Sequence, residues 1–213
     1  MARIDDYKEA FRLASEQLKS ADLQRLARLA EVDLTSSEEG TPLLRVPFFG
    51  APHYVRIGRD VDIWREGEPG EVSLPEKIIL CHYLLHASGE PPRGELITFR
   101  QIPDGHFYFD AFQRRARDPF LATFGKHPEL FQRCAQTLGG REVAAGDVGR
   151  TFQVLPRITI HLVLWQGDDE FPPEAGILFD ANIQQQLAVE DIAVLSSMLI
   201  YRLMGIARAS SQR

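Results

Sequence analysis

The chain has 213 residues and a formal net charge of −6 (24 Lys and Arg against 30 Asp and Glu), with 44% hydrophobic residues, 13 Phe, two Trp and two Cys. This length and mixture describe a globular chain with one sizeable core. The acidic balance excludes the basic footprint of a nucleic-acid binder, and two cysteines cannot supply the four thiolates of an iron–sulfur cluster. The longest apolar cluster, Ile78 to Leu85, is broken by His82 and falls short of a membrane span. The first residues are charged and lack a signal-peptide pattern, so a cytoplasmic location, no membrane and no nucleic acid are expected.

Tyr7, Ala10, Phe11, Ala14 and Leu18 recur at helical spacing, and Ser20 or Asp22 is placed to cap a second helix through Ala30, making 1–34 a helical segment. A polar loop over Thr35 to Gly40 precedes strand-like pieces at Leu43–Val46, Tyr54–Ile57 and Val61–Trp64. Ser73-Leu74-Pro75-Glu76 is a capping box opening a helix to about Ala87, with Gly89 placed to end it. Glu95 to Ile102 reads as a strand closed by Pro103-Asp104-Gly105. Three helical segments follow; the second opens at Asp118-Pro119 and the third at His127-Pro128. Within the first, Arg114-Arg115-Ala116-Arg117 reads as a solvated face.

The clearest strand pattern is Thr151 to Trp165, whose apolar residues alternate strictly around a kink at Pro156. The loop Gln166 to Ala175 leads to a returning strand at Gly176–Asp180, and an amphipathic helix from about Val189 to Arg208 closes the chain. With no repeat and no linker, the expected architecture is a single α+β domain over 1–213, an antiparallel sheet packed against several helices.

His82 and His86 lie one helical turn apart, the spacing at which two imidazoles share a metal. The helix around them is apolar on nearly every side, so they are either hydrogen-bonded core residues or the lining of a cavity. No third ligand is identifiable, and the metalloprotease pattern is absent. Asp168, Asp169 and Glu170 form an acidic triplet between Trp165 and Pro172-Pro173. These carboxylates suit a hard cation or general acid/base work, and equally suit solvent or pairing with Arg100 and Arg157. Arg157, Thr159, His161, Val163 and Trp165 share one strand face, which is either a pocket wall or an ordinary exposed sheet face. The glycines at 139, 140, 146 and 149 run from helix to strand, the reverse of a phosphate cradle. Cys81 sits on the apolar helix, where burial suppresses thiol reactivity.

Several stretches together resemble a known family: Cys81-His82-Tyr83-Leu84-Leu85, Phe99-Arg100, Gly105-His106-Phe107-Tyr108, Leu138-Gly139-Gly140, Gly146-Asp147, and Trp165-x-Gly-Asp-x-Glu-Phe-Pro through Ile177-Leu178-Phe179-Asp180. The chain is similar over about 70–205 to the domain of unknown function numbered 3786. The resemblance implies anaerobic bacteria and archaea, and relatives fused to an iron–sulfur module of the kind seen in corrinoid proteins. It implies no reaction and no catalytic residues.

The expectation is therefore a ligand- or metallocofactor-binding accessory protein rather than an enzyme. Corrinoid, haem or a metal are the cofactor classes considered, with none specified. His82, His86, Arg100, Tyr108, His161, Trp165, Asp168 and Glu170 are its candidate ligand-binding residues, converging on one hollow. The alternative is an adaptor that docks on an iron–sulfur or corrinoid partner without binding a cofactor. A carboxylate hydrolase built on Asp168 and Glu170 ranks third.

Overall fold

A computed structural model describes residues 4–67 and 70–211. The fold class is α+β, as the alternation of short strands and helices predicts, and the strands form two antiparallel sheets. Residue contacts divide the chain into two compact units. The first comprises Met1–Pro91 with Leu155–Arg157 and Gln185–Leu187; the second holds Pro92–Val154, Ile158–Gln184 and Ala188–Arg213.

The first unit begins with helices α1 (Ile4–Lys19) and α2 (Leu23–Ala30). Asp22 caps α2 by accepting the Arg25 N–H at 3.0 Å. A four-stranded meander follows: β1 (Asp33–Ser36), β2 (Pro42–Phe48), β3 (Ala51–Ile57) and β4 (Val61–Arg65), in spatial order β1-β2-β3-β4. The segment expected as a loop from Thr35 thus begins inside β1, because Asp33–Ser36 gains a partner in Pro42–Arg45 that its own polar sequence does not announce. Phe49 and Gly50 both take positive φ and join β2 to β3 with the two-residue turn that matches strand twist. Leu44, Val46, Phe48, Val55, Ile57 and Ile63 are buried on one face. On the other, Tyr54 stacks on Trp64 at 5.5 Å and Arg56 pairs with Asp62 at 2.8 Å.

Helix α3 (Leu74–His86) opens at the expected box, where the Glu76 carboxylate accepts the Ser73 N–H and hydroxyl at 3.2 and 2.8 Å. It packs on α1 and α2. Its Tyr83, fully buried, donates its hydroxyl proton to the Ala30 carbonyl at 2.8 Å and accepts the Arg157 N–H at 3.1 Å.

In the second unit the stretch expected as one strand over 95–102 is a three-residue β5 (Leu96–Thr98) followed by a 3-10 turn, Phe99–Gln101. Gln101 ends the strand by folding back, its side-chain oxygen accepting the Thr98 N–H at 2.8 Å. A helical rod then runs from α4 (Gly105–Phe112) through a π turn (Gln113–Arg117) into α5 (Asp118–Phe124). The break expected at Asp118-Pro119 is instead this widened turn, in which the Asp118 N–H reaches the Gln113 carbonyl. Pro119 has no N–H to give, and in a regular helix its ring would strike the carbonyl four residues back. The wider turn relieves that clash.

Helix α6 (Pro128–Thr137) leads into β6 (Arg141–Val143), β7 (Val148–Leu155), β8 (Ile158–Trp165) and β9 (Glu174–Asp180). The sheet order is β5-β9-β8-β7-β6. Ile158, Ile160, Leu162 and Leu164 are buried, and the last three lie opposite Phe179, Ile177 and Ala175. The long α7 (Val189–Ser211) packs on α4, the π turn, α5 and α6. Length and composition would let Val189–Ser210 cross a membrane, which no apolar run of the sequence suggested. Its Ile192, Leu195, Leu199, Ile200 and Leu203 are all at 0% exposure, which makes it the core helix of this unit.

Candidate functional site

The expected site residues fall into separate places. His82 and His86 belong to the first unit, and Arg100, Tyr108, His161, Trp165, Asp168 and Glu170 to the second. His82 is half-buried and His86 exposed, with ring centroids 5.8 Å apart in an edge-on arrangement. Among the described residues no group of three or more His, Cys, Asp and Glu side chains is placed to hold a metal ion. Cys81, beside the pair, is fully buried, and burial pushes its thiol up to about 12, so it is neither nucleophile nor ready ligand.

The acidic loop is explained by its own backbone. The Asp168 carboxylate accepts the N–H groups of Phe171 and Glu170 at 2.7 and 2.8 Å, and these bonds hold it below the usual carboxylate range. A Cβ on Gly167 would meet Pro173 N at 2.6 Å and Phe171 O at 2.7 Å, so glycine is required there. Gly146-Asp147 works similarly. A Cβ at Gly146 would meet Val163 and Leu164, while Asp147 binds the Leu164 carbonyl through its N–H and the Gln166 N–H through its carboxylate. A shallow cleft of about 570 Å³ lies along the acidic loop and includes Lys126 and Glu129. Arg100 and Arg157, considered as alternative partners of this loop, are engaged elsewhere. Arg157 donates to the Leu29 carbonyl at 2.8 Å, and Arg100 lies on an aromatic ring. The pKa of Asp168 moves away from what acid/base catalysis asks.

His161, half-buried on β8 opposite Leu178, has its pKa lowered, first by burial and against the pull of Asp180. Trp165 lies across Gly176, where a Cβ would meet the indole at 3.1 Å. Tyr108 donates its hydroxyl proton to the Glu190 carboxylate, which raises the phenol's pKa. Asp180, 3% exposed, accepts the N–H groups of Gly94, Arg93 and Asn182 at 2.7, 2.9 and 3.0 Å. The long tryptophan-to-aspartate block is thus largely a set of turn and strand devices.

A second cleft within the second unit has a volume of about 380 Å³. Its floor is β9 from Ala175 to Leu178, and its walls are Thr98–Arg100 and the rod at Phe109, Phe112, Gln113 and Arg117. Phe99 and Phe112 stack face to face, centroids 4.1 Å apart. The Arg100 guanidinium sits 3.9 Å above the Phe109 ring, a cation–π arrangement that leaves its edge N–H groups for another acceptor. Among the described residues the charged ones in the lining are Arg100 and Arg117, although the whole chain carries −6. Arg117 reaches Asp118 at 3.2 Å but sits on the turn facing the cleft. Of the expected residues this cleft contains Arg100. Arg117 was missed because a basic run reads as a solvated helix face. The cue lay in Pro119, which cannot continue a regular helix and forces the turn that re-aims the arginine.

A small α+β protein with an arginine-bearing aromatic cleft and no three-ligand metal cluster among its described residues is the class that this geometry defines. The chain belongs to the family described as a domain of unknown function, DUF3786, whose model matches residues 22–202. No curated protein matches the chain, and no solved structure does.

Proposed function

We propose that this protein is a binding module for an anionic ligand rather than an enzyme, with Arg100 and Arg117 as the anion-holding groups of the cleft in the second unit. The observation that carries this reading is the local reversal of charge: among the described residues two arginines and no carboxylate line an aromatic recess on an acidic chain. Guanidinium forks suit carboxylates and phosphates, and the Phe99–Phe112 stack offers an apolar wall for the ligand body. Arginine keeps its charge at all ordinary pH and carries no proton to a reacting atom, which favours holding over catalysis. The side chains lining this cleft suit an anion better than the metal of a corrinoid or haem, so the metallocofactor expectation has less support than the anion. An iron–sulfur or corrinoid partner enters this reading only as a protein that presents the anion.

Thermal-shift and calorimetric titration with benzoate and phenyl phosphate test the proposal. Binding should be saturable and should fall at least tenfold in Arg100→Ala and in Arg117→Ala, the loss of about 1.4 kcal/mol or more expected of one charge-assisted contact. Equal responses in wild type and both variants would remove the reading.

A further inference from the structure

The two arginines of the cleft are not equivalent. Arg100 lies over Phe109 and has no carboxylate partner among the described residues, so its whole charge is available to a ligand. Arg117 gives its Nη1 to the Asp118 carboxylate at 3.2 Å. That leaves its Nε–Nη2 edge, a complete fork, without a protein acceptor among the described residues. Asp118 itself is not part of the lining. The two side chains are 33% and 51% exposed, and a pair of that kind adds little to stability. Its negative charge nevertheless acts on whatever Arg117 holds. Counted with Asp118, the arginines present one net positive charge, not two.

That count bears on the ligand. A monoanion matches it. A dianion brings a second negative charge into a largely apolar recess where no cation is left to face it, and an uncompensated charge loses more solvation than it regains. An anion on the free fork of Arg117 lies about 7 Å from Asp118, across the width of the guanidinium. At that distance each ligand charge is disfavoured about threefold in affinity at the dielectric of water, and about fiftyfold at the value typical of a protein surface. A dianion meets this repulsion twice. Resting on the anion-binding reading, we infer that the ligand is a single carboxylate on an apolar body, and that Asp118 is the specificity-determining residue that excludes dianions such as phosphate monoesters. A planar carboxylate fits a guanidinium fork with both oxygens. Phe109, Phe112, Ile177 and Leu178 supply the apolar lining, and about 380 Å³ is the small end of the range for small-molecule pockets.

The full chain and its Asp118→Asn variant are titrated calorimetrically at pH 7.5 with benzoate, with phenyl phosphate, which is a dianion there, and with methyl phenyl phosphate, its singly charged ester. Wild type should bind benzoate at least threefold more tightly than phenyl phosphate, and the methyl ester more tightly than the dianion. In Asp118→Asn the dianion should gain at least tenfold and the two monoanions distinctly less, so that the order reverses. A merely structural role for Asp118 would move all three ligands by one factor, and that result overturns the inference. Tighter binding of phenyl phosphate than of benzoate by wild type, lost in Arg100→Ala, also overturns it while leaving the anion cleft standing. No saturable binding of any of the three removes the anion cleft as well. If Asp118→Asn does not fold, phenyl phosphate against its methyl ester on wild type decides the question, since the two differ by one charge on the same body.

Discussion

Asp180 illustrates how a conspicuous acid can be structural. Its carboxylate is buried and gathers three backbone N–H groups, two from the turn that starts β5 and one from its own turn. Replacing it with Ala orphans donors that water reaches poorly, so Asp180→Ala should lower stability by on the order of 3 kcal/mol, and Asp180→Asn by about half of that. The urea midpoint at unchanged m value checks both. Asp168 spends its charge in the same way at an exposed loop, and Gly146 and Gly167 are glycines because neighbouring backbone occupies the space of a Cβ. Residue types at these positions were legible from the chain; their purpose was not. A carboxylate that gathers backbone N–H groups, whether two and three residues on, as at Asp168, or far along the chain, as from Gly94 to Asp180, has no spacing that separates it from a solvated acid. Arg100 was legible as a candidate, whereas its stacking on Phe109 depends on a 3-10 turn that only Gln101 and its Thr98 partner determine.

Among the elements, the helices with caps were the most readable. The Ser73 box and the Asp22 cap stand where composition put them, since capping bonds are local. The strict alternation of Thr151 to Trp165 likewise becomes the β7–β8 hairpin, closed by the turn Pro156-Arg157. The short edge elements were less readable. Three residues of β5 carry too little pattern to show where pairing stops, and β1 is a strand only because β2 pairs with it. Tyr83 joins three such elements of the first unit through a single hydroxyl, bonding the end of α2 and the hairpin turn from α3. Tyr83→Phe keeps the ring packing but leaves the Ala30 carbonyl and the Arg157 N–H without it, and should cost about 1–3 kcal/mol in chemical denaturation. Burial raises the pKa of this phenol, so alkaline ultraviolet difference spectra should show it ionising last, with unfolding.

For the whole molecule, the titrating groups set a direction in pH. Burial lowers the His161 pKa from its ordinary 6.5. As pH falls below 6.5 the unfolded chain takes up this proton before the folded one, so stability is present above that value and lost on the acid side. Asp168, held below 3.8 by its backbone bonds, acts in the same sense at lower pH. Thermal unfolding followed from pH 7 to pH 5 should show a falling midpoint, and His161→Leu should flatten that fall, with Leu178 opposite it to pack against. A midpoint that rises towards pH 5 in the wild type would contradict the burial of a neutral imidazole.

The amino-acid order alone determined the α+β class, the capped helices, the β7–β8 hairpin and the family, because periodicity and capping act over a few residues. The cleft was decided by tertiary structure alone. It exists where β5 ends opposite Leu178 and where a π turn just before Pro119 places Arg117 in the same lining as Arg100 and the stacked rings. Those groups lie up to about 80 positions apart along the chain, and where each strand and turn stops depends on what it meets in space. Periodicity within one segment carries no record of that.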